Sequence, residues 1–498
     1  MSSTTAITLV AIPLVTAALY YSFVQHDKGY PPGPRGVPFF GNLFGMPSSH
    51  VLQTFSRWAS QYGDIVHLKL LNKHVIILNS SQAVHDLLDR RSSIYSDRPH
   101  FPLSDVAGLS FNYGFLTYGK QYSIRRRTFA TQFGRTSPDT YPSHYFAVNN
   151  LLRSLHERPE GFMDHLQLHA SQLVIRVVYG LTVTSCDDRL ISSAKTMSRL
   201  TDLVCRPEMW IVDPLPFLNR LPRWLGGRYF ERCVEQWQYD TKEFSQRPYK
   251  LYLENDNGLG ADCFMKKLLD APIPSIATQE RVPFAADCAA SAYGGASGNT
   301  VTSARSFFLA MAVYPDVQRK AQAQIDEVVG DGRLPDFNDR PALPYISAIV
   351  REVLRWNPPV PKGIPHALRN DDEYQGYHLP KGSIVMANVW HILHDPAVYA
   401  EPEQFVPERH LADGVLLPED PSRIAFGFGR RICPGRAFAE DALWLLVARV
   451  MAVYDIKPTK NGRPQAKFTS ATGSATYSHP LPFECDIVAR SDKVLTLF

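Results

Sequence analysis

The sequence predicts a mainly α protein with a small β-rich region and an N-terminal transmembrane helix, and three patterns support this fold class. In segments such as 344–356, apolar residues recur at three- and four-residue spacing, as on one face of a helix. Residues 65–79 are rich in β-branched side chains and predict two strands around a turn at Asn72-Lys73. Residues 6–24 carry no charge and are long enough to span a bilayer.

Residues 1–30 form the predicted membrane anchor, and residues 31–498 form the body. No basic residue precedes the apolar run, whereas Lys28 and Arg35 follow it. The positive-inside rule then places the body in the cytosol, on an endoplasmic reticulum membrane with a single-pass anchor. A cleaved signal peptide is the alternative, but such a peptide carries basic residues ahead of its apolar run.

The body has the composition of one large globular unit. The 498 residues are 45% hydrophobic and 20% charged, and no low-complexity linker divides them. A net charge of +4 is too small for a nucleic-acid-binding protein, which would concentrate Lys and Arg on one face. The seven cysteines form no Cys-x-x-Cys pair, which argues against a zinc site or a redox dithiol and fits a reducing compartment.

Helical spacing dominates from about residue 140 to residue 360, as in 318–329, but one segment there is unusual. Residues 283–313 are rich in Ala, Gly and Ser, and their only charges are Asp287 and Arg305. Such a helix is buried or lines a cavity, and its glycines would let a flat ligand approach the backbone. Tight packing of two helices is the alternative, and this segment alone favours that alternative.

The pattern most specific for a chemical function is FGFGRRICPGRAFAE at residues 426–440. Gly429 and Gly435 permit tight turns and the close approach of a large planar group. The helix predicted to begin near Pro434 directs its free N–H groups and positive dipole end toward Cys433, which favours the thiolate. A buried cysteine that acts only as a small hydrophobe is the alternative.

This segment resembles the haem-binding signature of the cytochrome P-450 family, Phe-x-x-Gly-x-Arg-x-Cys-x-Gly. The matching residues are Phe426, Gly429, Arg431, Cys433 and Gly435. The resemblance implies the cytochrome P-450 fold and a haem b whose iron takes the Cys433 thiolate as its axial ligand. It covers essentially the whole chain, which is similar to fungal microsomal members of secondary metabolism, the O-methylsterigmatocystin oxidoreductase-like group.

Two further motifs of the family lie upstream in the expected order. Glu352 and Arg355 stand three residues apart in a predicted helix and so share one face. Arg409, in the segment FVPER at 405–409, resembles the arginine of the family's Pro-Glu-Arg element. The resemblance implies that these three side chains form a buried network beneath the haem.

The resemblance also implies which side chains hold the haem propionates: Tyr122, Arg126, His366 and Arg431. Tyr122 stands where the family usually has Trp, and its phenol can still donate one hydrogen bond. For Arg126, a place in the solvated basic run at 125–127 is the alternative.

The central helix departs from the family's pattern. Aligned without a gap, the motif Ala/Gly-Gly-x-Asp/Glu-Thr-Thr falls on residues 295–300, so that Gly298 replaces the acid and Asn299 replaces the alcohol. In typical members this pair delivers protons to dioxygen at the iron. We therefore predict altered proton delivery, with Thr300 as a substitute for the missing alcohol. Moving the motif by one residue is the alternative, which places Asn299 and Thr300 on the acid and the alcohol but loses the match further along the helix.

Substrate-facing positions implied by the resemblance are mostly apolar or small: Phe115, Tyr293, Gly295, Val360, Ile364 and Thr476. They indicate a lipophilic substrate such as a terpenoid, polyketide or aromatic metabolite. Lys362 is expected at the pocket rim with its amine in solvent, and contact with a substrate carboxylate is the alternative.

Residues 210–226, rich in Trp, Phe, Leu and Pro, predict a membrane contact, for which core packing is the alternative.

The predicted function is a monooxygenase that inserts one oxygen atom from O2 into a lipophilic small molecule. No nucleotide- or flavin-binding motif accompanies the haem motif, so electrons are expected from a separate partner. The resemblance implies that this partner is an NADPH–cytochrome reductase, with cytochrome b5 as a second candidate. Cations that could steer such a partner are Arg125, Arg127, Arg319, Lys320, Arg430 and Arg436. Two alternatives stay open: a haem-thiolate isomerase, dehydratase or peroxide-dependent enzyme, and a non-catalytic haem- or lipid-binding protein.

Overall fold

A computed structural model describes residues 29–205, 227–254, 262–472 and 476–498. The predicted anchor at 6–24 and the predicted membrane-contact segment at 210–226 lie outside these residues. Within the described ranges, no helix is both long enough and apolar enough to cross a membrane.

The chain is predominantly helical, as the sequence predicts. The longer helices are α1 Val51–Tyr62, α2 Lys120–Phe133, α3 Tyr141–Glu157, α4 Phe162–Tyr179, α5 Arg189–Val204, α6 Gly227–Glu254, α7 Phe264–Asp270, α8 Arg281–Val313, α9 Pro315–Val328, α10 Pro344–Trp356 and α11 Arg436–Val453. Shorter helices are Ser81–Val84, Ser92–Tyr95, Pro102–Val106, Val389–Leu393, Ser422–Ala425 and Thr469–Thr472. The bounds predicted for 344–356 match α10, and those for 318–329 fall largely within α9.

Short strands form one four-stranded sheet and three two-stranded sheets. The strands are β1 Ile65–Leu70, β2 Lys73–Leu78, β3 His366–Ala367, β4 Asp372–Tyr374, β5 Tyr377–Leu379, β6 Ile384–Ala387, β7 Leu411–Ala412, β8 Val415–Leu416, β9 Tyr454–Lys457 and β10 Asp486–Ala489. The main sheet has the order β1-β2-β6-β3, in which only β2 and β6 are parallel. Lys73 already pairs with Leu70, so the β1–β2 turn lies one residue before its predicted position.

Helix α8 is the central element because most of its length is buried. At Gly294 a Cβ atom would lie 3.4 Å from the Phe244 ring of α6, so this face packs closely against another helix. At Gly295 a Cβ atom would meet no heavy atom within 4 Å. Both interpretations of the small-residue segment are therefore right, each for a different face of the same helix.

Two histidines are buried between α3 and α4. His144 is 1% exposed and His169 is 3% exposed, and neither ring nitrogen of His144 has a hydrogen-bond partner among the described residues. Burial lowers the pKa of His144 to about 3, with a further contribution from His169. Burial also lowers the pKa of His169 to about 4. Both rings are therefore neutral in the folded protein at neutral pH.

These two pKa values predict acid-sensitive folding. Because both pKa values are lowered, the two neutral rings leave the free energy of unfolding at its full value above the ordinary histidine pKa of about 6.5. This stability is lost as the pH falls toward the pKa values of the folded protein. The loss approaches about 1.4 kcal/mol per pH unit for each histidine. We expect His144→Asn and His169→Asn each to flatten the dependence of the free energy of unfolding on pH between about pH 7.5 and pH 5. The exposed His156 serves as control, and variants that keep the wild-type slope would contradict the assignment.

Candidate active site

Cys433 lies in a loop whose shape depends on two glycines. Gly427 and Gly429 have φ values of 80° and 52°, in the left-handed region. At Gly429 a Cβ atom would lie 2.1 Å from the carbonyl oxygen of Leu88, so only glycine fits there. The N–H of Cys433 donates to the Phe426 carbonyl at 2.8 Å and closes the loop. The sulfur is thereby presented just before the first turn of α11.

The charge state of this sulfur depends on opposing effects. Burial raises the pKa of the Cys433 thiol, and this outweighs the Gly435 N–H bond and the positive charges of Arg126 and Arg436, which lower it. The start of α11 therefore does not by itself produce a thiolate, contrary to the expectation from the sequence. A metal cation bound at Cys433 would supply the missing positive charge, because a coordinating thiol is deprotonated outright.

The Cys433 side chain faces an internal cavity of about 310 Å³. Its walls are mainly apolar and include the aromatic rings of Phe111, Phe115, Phe129, Phe133, Phe244 and Phe438. Within the described part of the chain, no cluster of three or more His, Cys, Asp or Glu side chains could hold a metal ion. A metal at Cys433 must therefore bring its other ligands with it, as the iron of a haem does.

Two buried arginines line the cavity. Arg98 is 6% exposed, and its guanidinium donates to three backbone carbonyl oxygens at 2.6 to 3.0 Å. Arg431 is 8% exposed and donates to the carbonyl oxygens of Ser96 and Leu116 at 2.7 Å. Among the described residues neither forms an ion pair with a carboxylate, and Nη1 of Arg431 is buried without a hydrogen-bond partner. Burial lowers the pKa of Arg98 to about 9, and the nearby Arg431 adds to this shift.

His366 lines the same cavity and is also buried. Its Nδ1 donates to the Tyr95 carbonyl at 2.8 Å, so Nε2 of the neutral ring is an acceptor. Burial lowers the pKa of His366 well below its ordinary range, and Arg98 contributes in the same direction. A ligand carboxylate would reverse this balance by stabilising the protonated ring. Arg98, Arg431 and His366 thus form a donor set without an anion, which fits the two carboxylates of a haem.

Tyr122 and Arg126 lie next to this donor set, and each donates to a backbone carbonyl oxygen of the Cys433 loop. The Tyr122 hydroxyl donates to the Arg430 carbonyl at 2.6 Å, and its ring lies 3.7 Å from the guanidinium carbon of Arg431. Arg126 donates to the carbonyl of Ile432 and does not line the cavity. Both side chains therefore position the Cys433 loop and Arg431. Tyr122 also lines the cavity, as does Arg98, which no sequence motif indicated. The contacts of Tyr122 and Arg126 with haem carboxylates stay predictions.

Helix α8 contributes one wall of the cavity through Gly295, Asn299 and Thr300. The side chains of Asn299 and Thr300 each donate to the carbonyl oxygen four residues earlier at 2.9 Å. Gly298 does not line the cavity, and a Cβ atom there would lie 3.4 Å from Oγ of Ser198 on α5. The position aligned with the family's acid therefore faces a neighbouring helix.

The other predicted substrate positions fall into two groups. Four of them line the cavity: Phe115, Val360, Ile364 and Thr476. Tyr293 does not, because its ring stacks on Phe244 and its hydroxyl donates to the Leu190 carbonyl at 2.8 Å. Lys362 also does not line the cavity, and with 3% exposure it is not the solvent-reaching rim residue that was expected.

Glu352 is the centre of a buried ionic network. Arg355 donates to both of its carboxylate oxygens at 2.8 Å, and Arg409 donates at 3.2 Å. His410 donates at 2.8 Å and the Val406 N–H at 2.9 Å. Burial would raise the pKa of Glu352, but these donors lower it to about 2. The predicted trio is assembled, and His410 is an additional member that only its position after Arg409 could have suggested.

Comparisons with known proteins were made for the whole chain. The family model described as Cytochrome P450 matches residues 31–484. A cytochrome P450 monooxygenase, number 208, of Postia placenta is 37% identical over 495 residues, covering 98% of this chain and 94% of the relative. The cytochrome P450 monooxygenase COX2 of Coprinopsis cinerea is 37% identical over 489 residues, covering 95% and 91%. The cytochrome P450 monooxygenase claR of Ampulloclitocybe clavipes is 35% identical over 494 residues, covering 97% and 91%.

The Glu352 network predicts a large effect of removing one charge. Glu352→Gln keeps the shape of the side chain but leaves Arg355 buried without its counter-charge, which should cost about 3–5 kcal/mol in the free energy of unfolding. The exposed pair of Arg490 and Asp326 provides the control, since Asp326→Asn should cost no more than about 1 kcal/mol. Urea denaturation measures both variants, and equal losses would contradict the central role of Glu352.

Proposed function

The chain belongs to the cytochrome P450 family, and we propose that it is a haem-thiolate monooxygenase that inserts one oxygen atom from O2 into a lipophilic small molecule. The observation that carries this proposal is the shared cavity. Cys433 faces the same apolar space as Arg98, Arg431 and His366, so one site offers an axial sulfur and donors for two carboxylates.

Each part of the site has a task toward a bound haem. Cys433 would hold the iron, and the N–H of Gly435 would limit the charge on its sulfur. Arg98 and Arg431 would bind the propionates, with protonated His366 as a third donor. A thiolate-bound haem iron supplies the reduction of dioxygen and the cleavage of its O–O bond. The apolar walls exclude water and leave room for the substrate beside the iron.

Proton supply on the α8 wall is the unusual step. The amide of Asn299 does not titrate near neutral pH, and Gly298 has no side chain. The hydroxyl of Thr300 is one group on this wall that can pass on a proton, although it donates to the Ala296 carbonyl in the present conformation. A substrate-coupled rotation of this side chain would direct it into the cavity.

The same observation favours a second candidate function. An isomerase, a dehydratase or a peroxide-dependent enzyme needs no proton relay for reductive dioxygen activation, and it would tolerate Gly298 and Asn299. NADPH dependence separates the two: the monooxygenase forms product only with NADPH and its reductase, whereas the second class forms product without them.

The substrate class follows from the walls of the cavity. Its aromatic and aliphatic lining suits a terpenoid, a polyketide or an aromatic metabolite, and we propose a role in fungal secondary metabolism. Most of the cations proposed to guide a reductase or cytochrome b5 already have partners. The pairs are Arg125 with Asp287, Arg319 with Asp316, Lys320 with Glu408, Arg430 with the Tyr118 hydroxyl, and Arg436 with Asp420. Reductase docking would therefore use exchangeable ion pairs.

The axial ligand is tested by Cys433→Ser. An alcohol is a poor anionic ligand, so the thiolate signature in the absorption spectrum of the reduced, carbon-monoxide-bound protein should disappear. Cys186→Ser and Cys485→Ser are matched controls, since neither residue lines the cavity. A thiolate signature that survives in Cys433→Ser would place the ligand elsewhere and remove the basis of the proposed function.

Localisation in the endoplasmic reticulum membrane, with the body in the cytosol, is tested by truncation. Deletion of residues 1–28 should release most of the protein from microsomal membranes in carbonate washing, because the apolar run at 6–24 is the proposed anchor. Haem content should stay at the wild-type level. A truncated chain that remains fully membrane-integrated, or one that no longer binds haem, would contradict the proposed boundary.

A further inference from the structure

Helix α5 carries a polar stripe along the cavity. Ser198, Thr201 and Cys205 all line the cavity that contains Cys433. They are three and four residues apart, so they lie one above the other on a single face of the helix. This stripe, Ser198-Thr201-Cys205, interrupts walls that are otherwise largely aromatic and aliphatic.

The two hydroxyls of the stripe are free. Serine and threonine in a helix commonly donate to a carbonyl of the preceding turn. Ser192 and Ser193 of the same helix do so, with bonds to the Arg189 and Leu190 carbonyls at 3.1 and 2.8 Å. The side chains of Ser198 and Thr201, in contrast, make no hydrogen bond to another described residue. Each hydroxyl can therefore both donate to and accept from a bound molecule.

The stripe also lacks a full charge. Lys362, Arg98 and Asp202 lie close enough to affect the pKa of Cys205, and of these three only Arg98 lines the cavity. The cations that do line it, Arg98 and Arg431, are assigned to the haem carboxylates. A charged ligand group beside Ser198 would lose its hydration without gaining a counter-charge, which is costly in an apolar cavity.

We infer that the Ser198-Thr201-Cys205 stripe binds a neutral oxygen function of the substrate, a hydroxyl or a carbonyl. The substrate is then a lipophilic molecule that already carries an oxygen atom. The enzyme that acts before this one in the reaction sequence introduces or retains that oxygen. Oγ of Ser198 lies 3.4 Å from the place that a Cβ atom of Gly298 on α8 would occupy. The oxygen function of the bound substrate would therefore lie near the α8 wall. This inference rests on the proposed function, since it assumes that the substrate shares the cavity with a haem.

The test is equilibrium binding to the full-length holoprotein, followed by the ligand-induced change in the haem absorption spectrum. The probes are two matched pairs, cedrol with cedrene and borneol with bornane, each an alcohol and a related hydrocarbon. The wild type should bind at least one alcohol about 10-fold more tightly than its hydrocarbon, because the hydroxyl gains hydrogen bonds in an apolar site. The double variant Ser198→Ala with Thr201→Val should reduce this preference below about 2-fold.

Ser193→Ala is the matched control, because it removes a hydroxyl from the same helix outside the cavity. It should keep the wild-type preference. The inference is overturned if the double variant retains the preference for the alcohol, if the wild type has none, or if it binds none of the four probes. A carbon-monoxide spectrum with the thiolate signature in every variant shows that such a failure concerns the stripe and not the haem site.

Discussion

The carboxylate of Glu352 is the group on which the arrangement around the active site depends. It is completely buried, and a charge in that position is tolerated only because five donors surround it. Those donors come from α10 itself and from the segment 406–410, so a single anion joins a helix to a loop that has little regular structure. Arg355 extends the connection, since its guanidinium also donates to the carbonyl oxygens of Leu393, Pro402 and Gln404. These hydrogen bonds connect the two segments, as backbone hydrogen bonds connect neighbouring strands in a sheet.

From this anchor a series of polar contacts leads to the sulfur. Arg351, one residue before Glu352, donates to the Leu417 carbonyl at 2.6 Å. Asp420, three residues further along, accepts from Arg436 at 2.9 Å, and Arg436 is the first residue of α11. The Cys433 loop thus lies between two fixed points, α10 on one side and α11 on the other. The second of its two left-handed glycines, Gly429, brings the backbone close to Leu88, which no larger residue would permit. Rigidity at this point matters because the position of the sulfur determines where the iron would sit relative to the substrate.

The cavity is chemically divided, and in the proposed function this division would separate cofactor from substrate. Arg98, Arg431 and His366 provide positive charge and donors, whereas the α5 stripe offers hydroxyls without charge. Between them lie aromatic rings and the small residues of α8. Asn299 and Thr300 each donate within the helix, but Oδ1 of Asn299 is buried without a hydrogen-bond partner among the described residues. The hydroxyls of the α5 stripe are the groups that we propose for recognition of a substrate's polar group. This division fits a family in which one cofactor chemistry serves many substrates.

The sequence by itself determined the mainly α fold with small sheets, the bounds of α10, the loop around Cys433 and the trio of Glu352, Arg355 and Arg409, whereas the N-terminal transmembrane helix stays a prediction. These features follow from local periodicity, from glycines that a turn requires and from a motif whose spacing matches a known family. Arg98, His410 and the α5 stripe emerged only from the tertiary structure, because their partners are distant in the chain or are not protein at all. Tyr293 shows the reason most clearly. Helical spacing predicts that this residue shares a face with others, but it does not tell whether that face meets a cavity or the side of another helix. Here it meets α5 and α6, and the hydroxyl that was expected to face a substrate donates to the Leu190 carbonyl.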